Sequence, residues 1–72
     1  MRYLEYLTTL KRLDYLIRTK QTGTPTQVAE KLEISVATLH RYRRDLLNLR
    51  APIEYDQERE CYVYTHDFEL KF

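Results

Sequence analysis

The side chains best suited to chemistry lie between residues 35 and 48, where imidazole, guanidinium and amide groups recur at helical spacing. On a helix that begins after Ser35, at about 100° per residue, they share one face. Arginine can donate two hydrogen bonds to a guanine edge, and histidine or asparagine can bond at other base edges. This pattern indicates binding to duplex nucleic acid. The face consists of Ala37, His40, Arg41, Arg44 and Asn48, with Arg43 and Leu47 on one flank.

The best candidates for catalysis are Cys61 and His66, which are five residues apart in a pattern that alternates like a strand. An odd separation places them on opposite faces. Cys61 shares the parity of Val63, which favours a buried structural thiol over a nucleophile. One cysteine and two distant histidines, His40 and His66, cannot complete a tetrahedral zinc site. We therefore expect no enzyme, no cofactor and no metal.

A first amphipathic pattern predicts a helix over about residues 2–20. Leu4 and Tyr15 fall on the side opposite its apolar stripe, where they are either scattered exposed side chains or a contact between two copies. Gly23, the only glycine, is well placed as a helix C-cap residue in the left-handed conformation. The inward stripe of this helix consists of Tyr3, Tyr6, Leu7, Leu10, Leu13 and Ile17.

A second helix is predicted over about residues 25–33, and its start is the sharper signal. Thr24 and Gln27 have the spacing of a capping box, in which each side chain accepts a hydrogen bond from the backbone of the other residue. Pro25 stands at the first helical position, where its missing N–H is not needed. The inward face consists of Val28, Ala29 and Leu32.

The third helix is predicted over about residues 36–49, and it ends before Pro52. Ser35 is a strong N-cap residue, with Thr38 at the third helical position. Because the apolar residues recur at intervals of three or four, one side of this helix faces the core and the polar side faces solvent. The core stripe consists of Leu39, Tyr42, Leu46 and Leu49.

After Pro52 the apolar period changes to two, which predicts a β-hairpin over about residues 53–65 with a polar turn at 56–60. Phe68, Leu70 and Phe72 alternate with polar residues, which suggests either a third short strand or a tail packed on the hairpin. The predicted fold class is α+β, a three-helix bundle followed by a hairpin, in a single domain over residues 1–72.

Composition excludes several classes of protein. A chain of 72 residues allows one small domain, and no apolar run approaches the roughly 20 residues that cross a bilayer. No signal peptide is evident, so we expect a cytoplasmic protein. The net charge is only +1, but residues 2–20 and 36–50 each carry +3, whereas residues 53–60 carry −3. Such clustering of bases favours a polyanionic partner.

The sequence resembles the winged helix-turn-helix at the N-terminus of bacterial transcription regulators of the DeoR-like and WYL-associated kind. The resemblance covers residues 10–64, through the runs RLDYLI at 12–17, TPTQVAEKL at 24–32, IS at 34–35, TLHRY at 38–42 and APIEYD at 51–56. It implies sequence-specific DNA binding, with residues 35–49 as recognition helix and 53–64 as wing. The candidate DNA contacts are Ser35, Ala37, Thr38, His40, Arg41, Arg43, Arg44 and Asn48.

Three features depart from the pattern of that family. Glu33 stands where glycine is usual, so a non-glycine residue is expected to adopt the left-handed region. Arg43 stands where an apolar core residue is usual. The wing is acidic, which disfavours contact with phosphates, so at most Arg59 should contribute. Its acids are Glu54, Asp56, Glu58 and Glu60.

The partners follow from the same pattern. We expect duplex DNA, no membrane and no small-molecule ligand. Because one short domain makes few phosphate contacts, we also expect a homodimer through Leu4, Tyr15 or the tail from Phe68 to Phe72. Regulators of the family continue into an effector domain, and none follows here, so the chain is expected to act alone or with separate effector chains. The alternative is a winged-helix module for protein interaction or dimerisation, without DNA binding.

Overall fold

Three helices precede an antiparallel hairpin in the computed structural model, which describes residues 2–68 and 70. Ile53 lies opposite Tyr64 in the hairpin, and Asp56 lies opposite Cys61. The predicted α+β class, three helices followed by a hairpin, is confirmed. The elements are α1 (Arg2–Arg18), α2 (Pro25–Leu32), α3 (Val36–Asn48), β1 (Ile53–Asp56) and β2 (Cys61–Tyr64).

The core forms where the inward sides of the three helices meet the hairpin. Most of the predicted stripes are confirmed, but Tyr3 is 72% exposed and Leu49 is 50% exposed. Tyr3 lies in the first turn of α1, before Tyr6, where that helix begins to pack on the core. Leu49 follows the end of α3, so it leaves the helical phase. The buried apolar core is Leu10, Leu13, Ile17, Val28, Ala29, Leu32, Leu39, Leu46, Ala51 and Tyr62.

Helix α1 ends at Arg18, two residues earlier than predicted. The chain leaves the helix because Lys20 adopts the left-handed conformation. Lys20 has φ 59° and donates its N–H to the Ile17 carbonyl at 3.1 Å, while Gln21 donates to the Leu16 carbonyl at 2.8 Å. This pair of bonds is a Schellman motif. The prediction that Gly23 caps α1 is therefore wrong, although Gly23 does have a positive φ of 72°.

The same motif ends α2 and α3, again on residues other than glycine. Glu33 has φ 58° and Arg50 has φ 68°, so both occupy the left-handed region. The expectation that Glu33 is forced into this conformation is confirmed. It also explains why α2 ends at Leu32 and α3 at Asn48, each one residue before its predicted end.

Replacing Glu33 by glycine is expected to stabilise the protein. A Cβ atom in the left-handed region costs about 1 kcal/mol, and glycine avoids that strain. After the entropy that glycine loses on folding, we expect a gain of about 0.5 kcal/mol in the free energy of unfolding, measured by urea titration. Glu33→Ala is the matched control, because it removes the carboxylate but keeps the Cβ. Equal stability of the two variants would show that the Cβ atom at position 33 causes no strain.

Buried polar contacts join the hairpin to α1 and to the loop that follows it. Thr22 is fully buried, and its hydroxyl accepts the backbone N–H of Tyr62 at 2.8 Å. The Tyr64 hydroxyl donates to Asp14 at 2.7 Å, and the Arg18 guanidinium bonds the second oxygen of that carboxylate at 3.1 Å. These bonds satisfy the buried Thr22 hydroxyl and the buried Asp14 carboxylate, so the hairpin has a defined position against α1.

The chain after β2 forms no strand over the described residues 65–68 and 70. The ring of Phe68 packs edge-on against Tyr64 with centroids 5.2 Å apart, and Leu70 also packs on the core. Of the two alternatives, the described residues therefore favour a packed tail. The rest of the predicted segment, residues 69, 71 and 72, lies outside the described residues.

None of the described helices is long and apolar enough to cross a membrane.

The stability of the protein is expected to fall at alkaline pH because two tyrosines donate to carboxylates. Burial and the hydrogen bond to Asp45 raise the pKa of Tyr6 to about 12, and burial and the bond to Asp14 raise the pKa of Tyr64. The unfolded chain releases these protons near pH 10, whereas the folded chain retains them. The stabilisation is therefore complete below about pH 10 and is lost as the pH rises through the folded values.

This loss can be measured as the urea midpoint across pH values on either side of 10, the ordinary tyrosine pKa. The Tyr6→Phe/Tyr64→Phe variant cannot ionise at either position, so its midpoint should fall less steeply with pH. Alkaline slopes that coincide in the two proteins would contradict the assignment.

Candidate nucleic-acid interface

Helices α2 and α3 are joined by the three residues 33–35, and side-chain caps define where each helix begins. Thr24 accepts the N–H of Gln27 at 3.3 Å, and the Gln27 side chain accepts the N–H of Thr24 at 2.8 Å. Ser35 accepts the N–H of Thr38 at 3.1 Å. Both predicted caps are confirmed. Because a cap determines the first helical residue, these bonds also determine which side chains of α3 point outward.

The inward side of α3 is held by packing and by one long-range hydrogen bond. Leu39 and Leu46 are fully buried. Tyr42 packs edge-on against Tyr6 of α1 with ring centroids 5.1 Å apart, and the Tyr6 hydroxyl donates to Asp45 at 2.5 Å. The sequence alone does not predict this bond, because partners 39 residues apart leave no local signal. These contacts set the rotation of α3 about its axis.

The outward side of α3 is a continuous polar surface. Between Ala37 and Asn48 it extends about 16 Å at 1.5 Å per residue. Within residues 2–68 and 70, Arg41 and Arg44 make no ion pair or hydrogen bond with another side chain. Their guanidinium groups are thus available to an external acceptor. The exposed set is Ala37, His40, Arg41, Arg44 and Asn48, which confirms that these residues share one open face.

The three other candidates differ from one another in exposure: Ser35 is exposed, whereas Thr38 and Arg43 are half-buried. Arg43 is half-buried, and its Nε is enclosed without a hydrogen-bond partner among the described residues. It follows Leu39 by four residues, so it lies toward the core side of α3. Burial raises the pKa of Tyr62, and the charge of Arg43 opposes that rise. The Ser35 hydroxyl donates to the Thr38 hydroxyl at 3.0 Å, and Thr38 is half-buried. Arg43 therefore does not stand on the open face.

The hairpin turn is acidic and internally bonded. One oxygen of Asp56 accepts the N–H groups of Glu58 at 3.0 Å and Arg59 at 3.2 Å, which shapes the turn without glycine. The Arg59 guanidinium lies 3.7 Å from the other oxygen. The single base of the turn is thus paired, and Glu54, Glu58 and Glu60 are exposed. This arrangement is consistent with a minor role for the hairpin in any contact with phosphates.

The two residues predicted as the best candidates for catalysis differ in exposure. Cys61 is buried, whereas His66 is exposed and contacts the Asp67 carbonyl at 3.2 Å. Among the described residues, no three side chains of the kinds that bind metals form a cluster.

Comparison of the chain with protein-family models, with curated proteins and with solved structures finds no match in any of the three. The class of the molecule therefore follows from its own geometry. It is a small α+β protein whose third helix exposes a polar surface with two unpaired arginines in the described chain.

Proposed function

We propose that this protein is a winged helix-turn-helix that binds duplex DNA sequence-specifically, as a small transcriptional regulator. The order of α2, a three-residue turn, α3 and a hairpin supports this assignment. The observation that carries it is the open face of α3, where Arg41 and Arg44 have no internal partner among the described residues. In this proposal α3 enters the major groove, which is wide enough for one helix.

The positions of the exposed side chains suggest a division of roles. Ala37, His40 and Arg41 lie in the first two turns of α3, the part of a recognition helix that reaches base edges. Arg41 would bond a guanine, His40 another base edge, and the Ala37 methyl group a thymine methyl. Arg44 lies a turn further along, where a base and a phosphate are both within its reach. Asn48 extends the face toward the end of the helix.

A second candidate is a module for protein interaction. The observation that favours it is the acidic hairpin, because its exposed carboxylates repel a phosphate backbone. Exposed Leu4 and Tyr15 offer apolar surface to a protein partner. In that case α3 would contact an acidic protein surface, and the chain would not select particular DNA sequences.

Selection of duplexes from a random pool by the purified chain tests the proposal. We expect recovery of a defined sequence motif, since His40 and Arg41 present hydrogen-bonding groups of fixed pattern. The double variant Arg41→Gln/Arg44→Gln is the control, because it keeps side-chain length and removes both charges. Recovery of unselected sequences by the native chain would reject sequence-specific binding and favour the protein-interaction candidate.

Replacing Arg41 by alanine is expected to weaken binding to the selected site by about 1–3 kcal/mol, roughly 5- to 150-fold, through loss of a bidentate contact. Base preference at one position should relax as well. Arg18→Ala is the matched control, because it removes the same charge from α1, where Asp14 already pairs with it. Fluorescence anisotropy with selected and scrambled duplexes measures both effects. An equal loss on the two duplexes would contradict base readout by Arg41.

A further inference from the structure

A groove on the outer side of α1 lies apart from the residues of the open α3 face. Its volume is about 370 Å³. Its apolar part comes from Tyr15, which is 54% exposed, and from half-buried Leu16. Its lining is Thr8, Lys11, Arg12, Tyr15, Leu16 and Lys31, and we call it the basic groove.

Two bases of this groove, Arg12 and Lys31, bond backbone carbonyls and no carboxylate among the described residues. Arg12 donates to the backbone carbonyl of Lys31 at 2.9 Å, and the Lys31 ammonium donates to the carbonyl of Gln21 at 2.6 Å. A carbonyl accepts a hydrogen bond but does not neutralise a cation. Over the described residues the ion pairs are Arg18 with Asp14 and Arg59 with Asp56, so neither Arg12 nor Lys31 pairs with a carboxylate. These cations can therefore attract an external anion.

The hairpin carries negative charges that form no ion pair with another described residue. We call Glu54, Glu58 and Glu60 the acidic turn, since all three are exposed and none forms an ion pair with another described residue. Asp56 binds the N–H groups of residues 58 and 59, so the backbone that presents Glu58 is well defined. A preorganised segment loses less entropy on docking than a flexible one.

We propose that the acidic turn of one copy docks in the basic groove of a second copy, and that the contact is made twice in a two-fold symmetric dimer. Both charged surfaces belong to one chain, Arg12 and Lys31 on one and the three glutamates on the other form no ion pair among the described residues, and the exposed Tyr15 adds apolar area to bury. An isologous pairing uses each surface once per copy and closes the assembly. The open face of α3 is not part of either surface, so the inference does not depend on DNA binding.

Charge reversal in the absence of DNA tests this dimer by sedimentation equilibrium. The native chain should dimerise, and its dissociation constant should rise in 1 M salt, where the screening length falls to about 3 Å. Glu58→Lys/Glu60→Lys and Arg12→Glu/Lys31→Glu should each raise the dissociation constant about tenfold or more, through like-charge repulsion. An equimolar mixture of the two variants should dimerise again, because each restores complementarity for the other.

Two controls separate this inference from the proposed function. Arg41→Glu/Arg44→Glu reverses two charges on α3 outside the basic groove, so it should leave dimerisation unchanged and abolish DNA binding. Circular dichroism checks the fold of every variant, and Arg12→Gln/Lys31→Gln replaces the groove reversal if that variant unfolds. A monomeric native chain, dimers indifferent to both reversals, or a mixture that stays monomeric would each overturn the inference. Indifferent dimers would indicate a contact through Leu4 or through the tail from Phe68 to Phe72 instead.

Discussion

A fourfold rise in salt, from about 50 to about 200 mM, is expected to weaken binding of the chain to a duplex roughly 100-fold. If one chain engages about four phosphates, counterion release gives a log–log slope of roughly −3 to −5. Arg44, exposed and unpaired among the described residues, is one of the groups that would displace those counterions. Anisotropy titrations at several salt concentrations give the slope directly.

The same titrations decide the role of Arg44. If it binds a phosphate, Arg44→Gln should make the slope shallower by about one and weaken all duplexes alike. If it reads a base, the variant should lose affinity mainly for the selected site. A slope near zero for the native chain would contradict DNA binding itself, since a polyanion cannot be bound through cations without releasing counterions.

Replacing Leu39 by alanine is expected to lower the free energy of unfolding by about 2–5 kcal/mol. Leu39 is fully buried on the inward side of α3, so the change removes apolar contacts and leaves a cavity. A domain of this size has a stability of only a few kcal/mol, so much of the population should unfold. Urea titration followed by circular dichroism measures the loss.

Leu47→Ala is the matched control, because it is the same substitution in the same helix. Leu47 is 43% exposed on the flank of the polar face, so the change should stay within about 0.5 kcal/mol. The comparison tests the rotation of α3, and therefore which side presents Arg41. Equal losses from the two substitutions would mean that the helix is rotated and that its polar face is not open.

The two proposals together describe a molecule with separate surfaces for separate partners. The open face of α3 carries arginines that form no ion pair with another described residue, and these would bind a polyanion. The acidic turn would be unfavourable near DNA unless its charge were neutralised, and docking in the basic groove of a second copy would do so. A dimer of this kind would also double the number of phosphate contacts per complex, which a single small domain needs.

Local patterns in the chain predicted much of the fold. The cap at Thr24 and Gln27 and the cap at Ser35 depend on residues three apart, so the sequence shows them directly. Amphipathic spacing likewise predicted that Leu39 is buried and that Arg41 is exposed, because the helical period relates position to face. The helix ends were less accurate, because Lys20 accepts a left-handed conformation that glycine usually adopts.

The sequence by itself determined the three helices, the hairpin, their starting residues and the polar face of α3, since each depends on nearby residues in the chain. Only the tertiary structure decided that Tyr6 bonds Asp45, that Thr22 bonds the backbone of Tyr62, and that Arg12 and Lys31 share a groove. These contacts join residues separated by about 20 to 40 positions. Their partners become neighbours only when the helices and the hairpin pack together, and no local pattern encodes that packing.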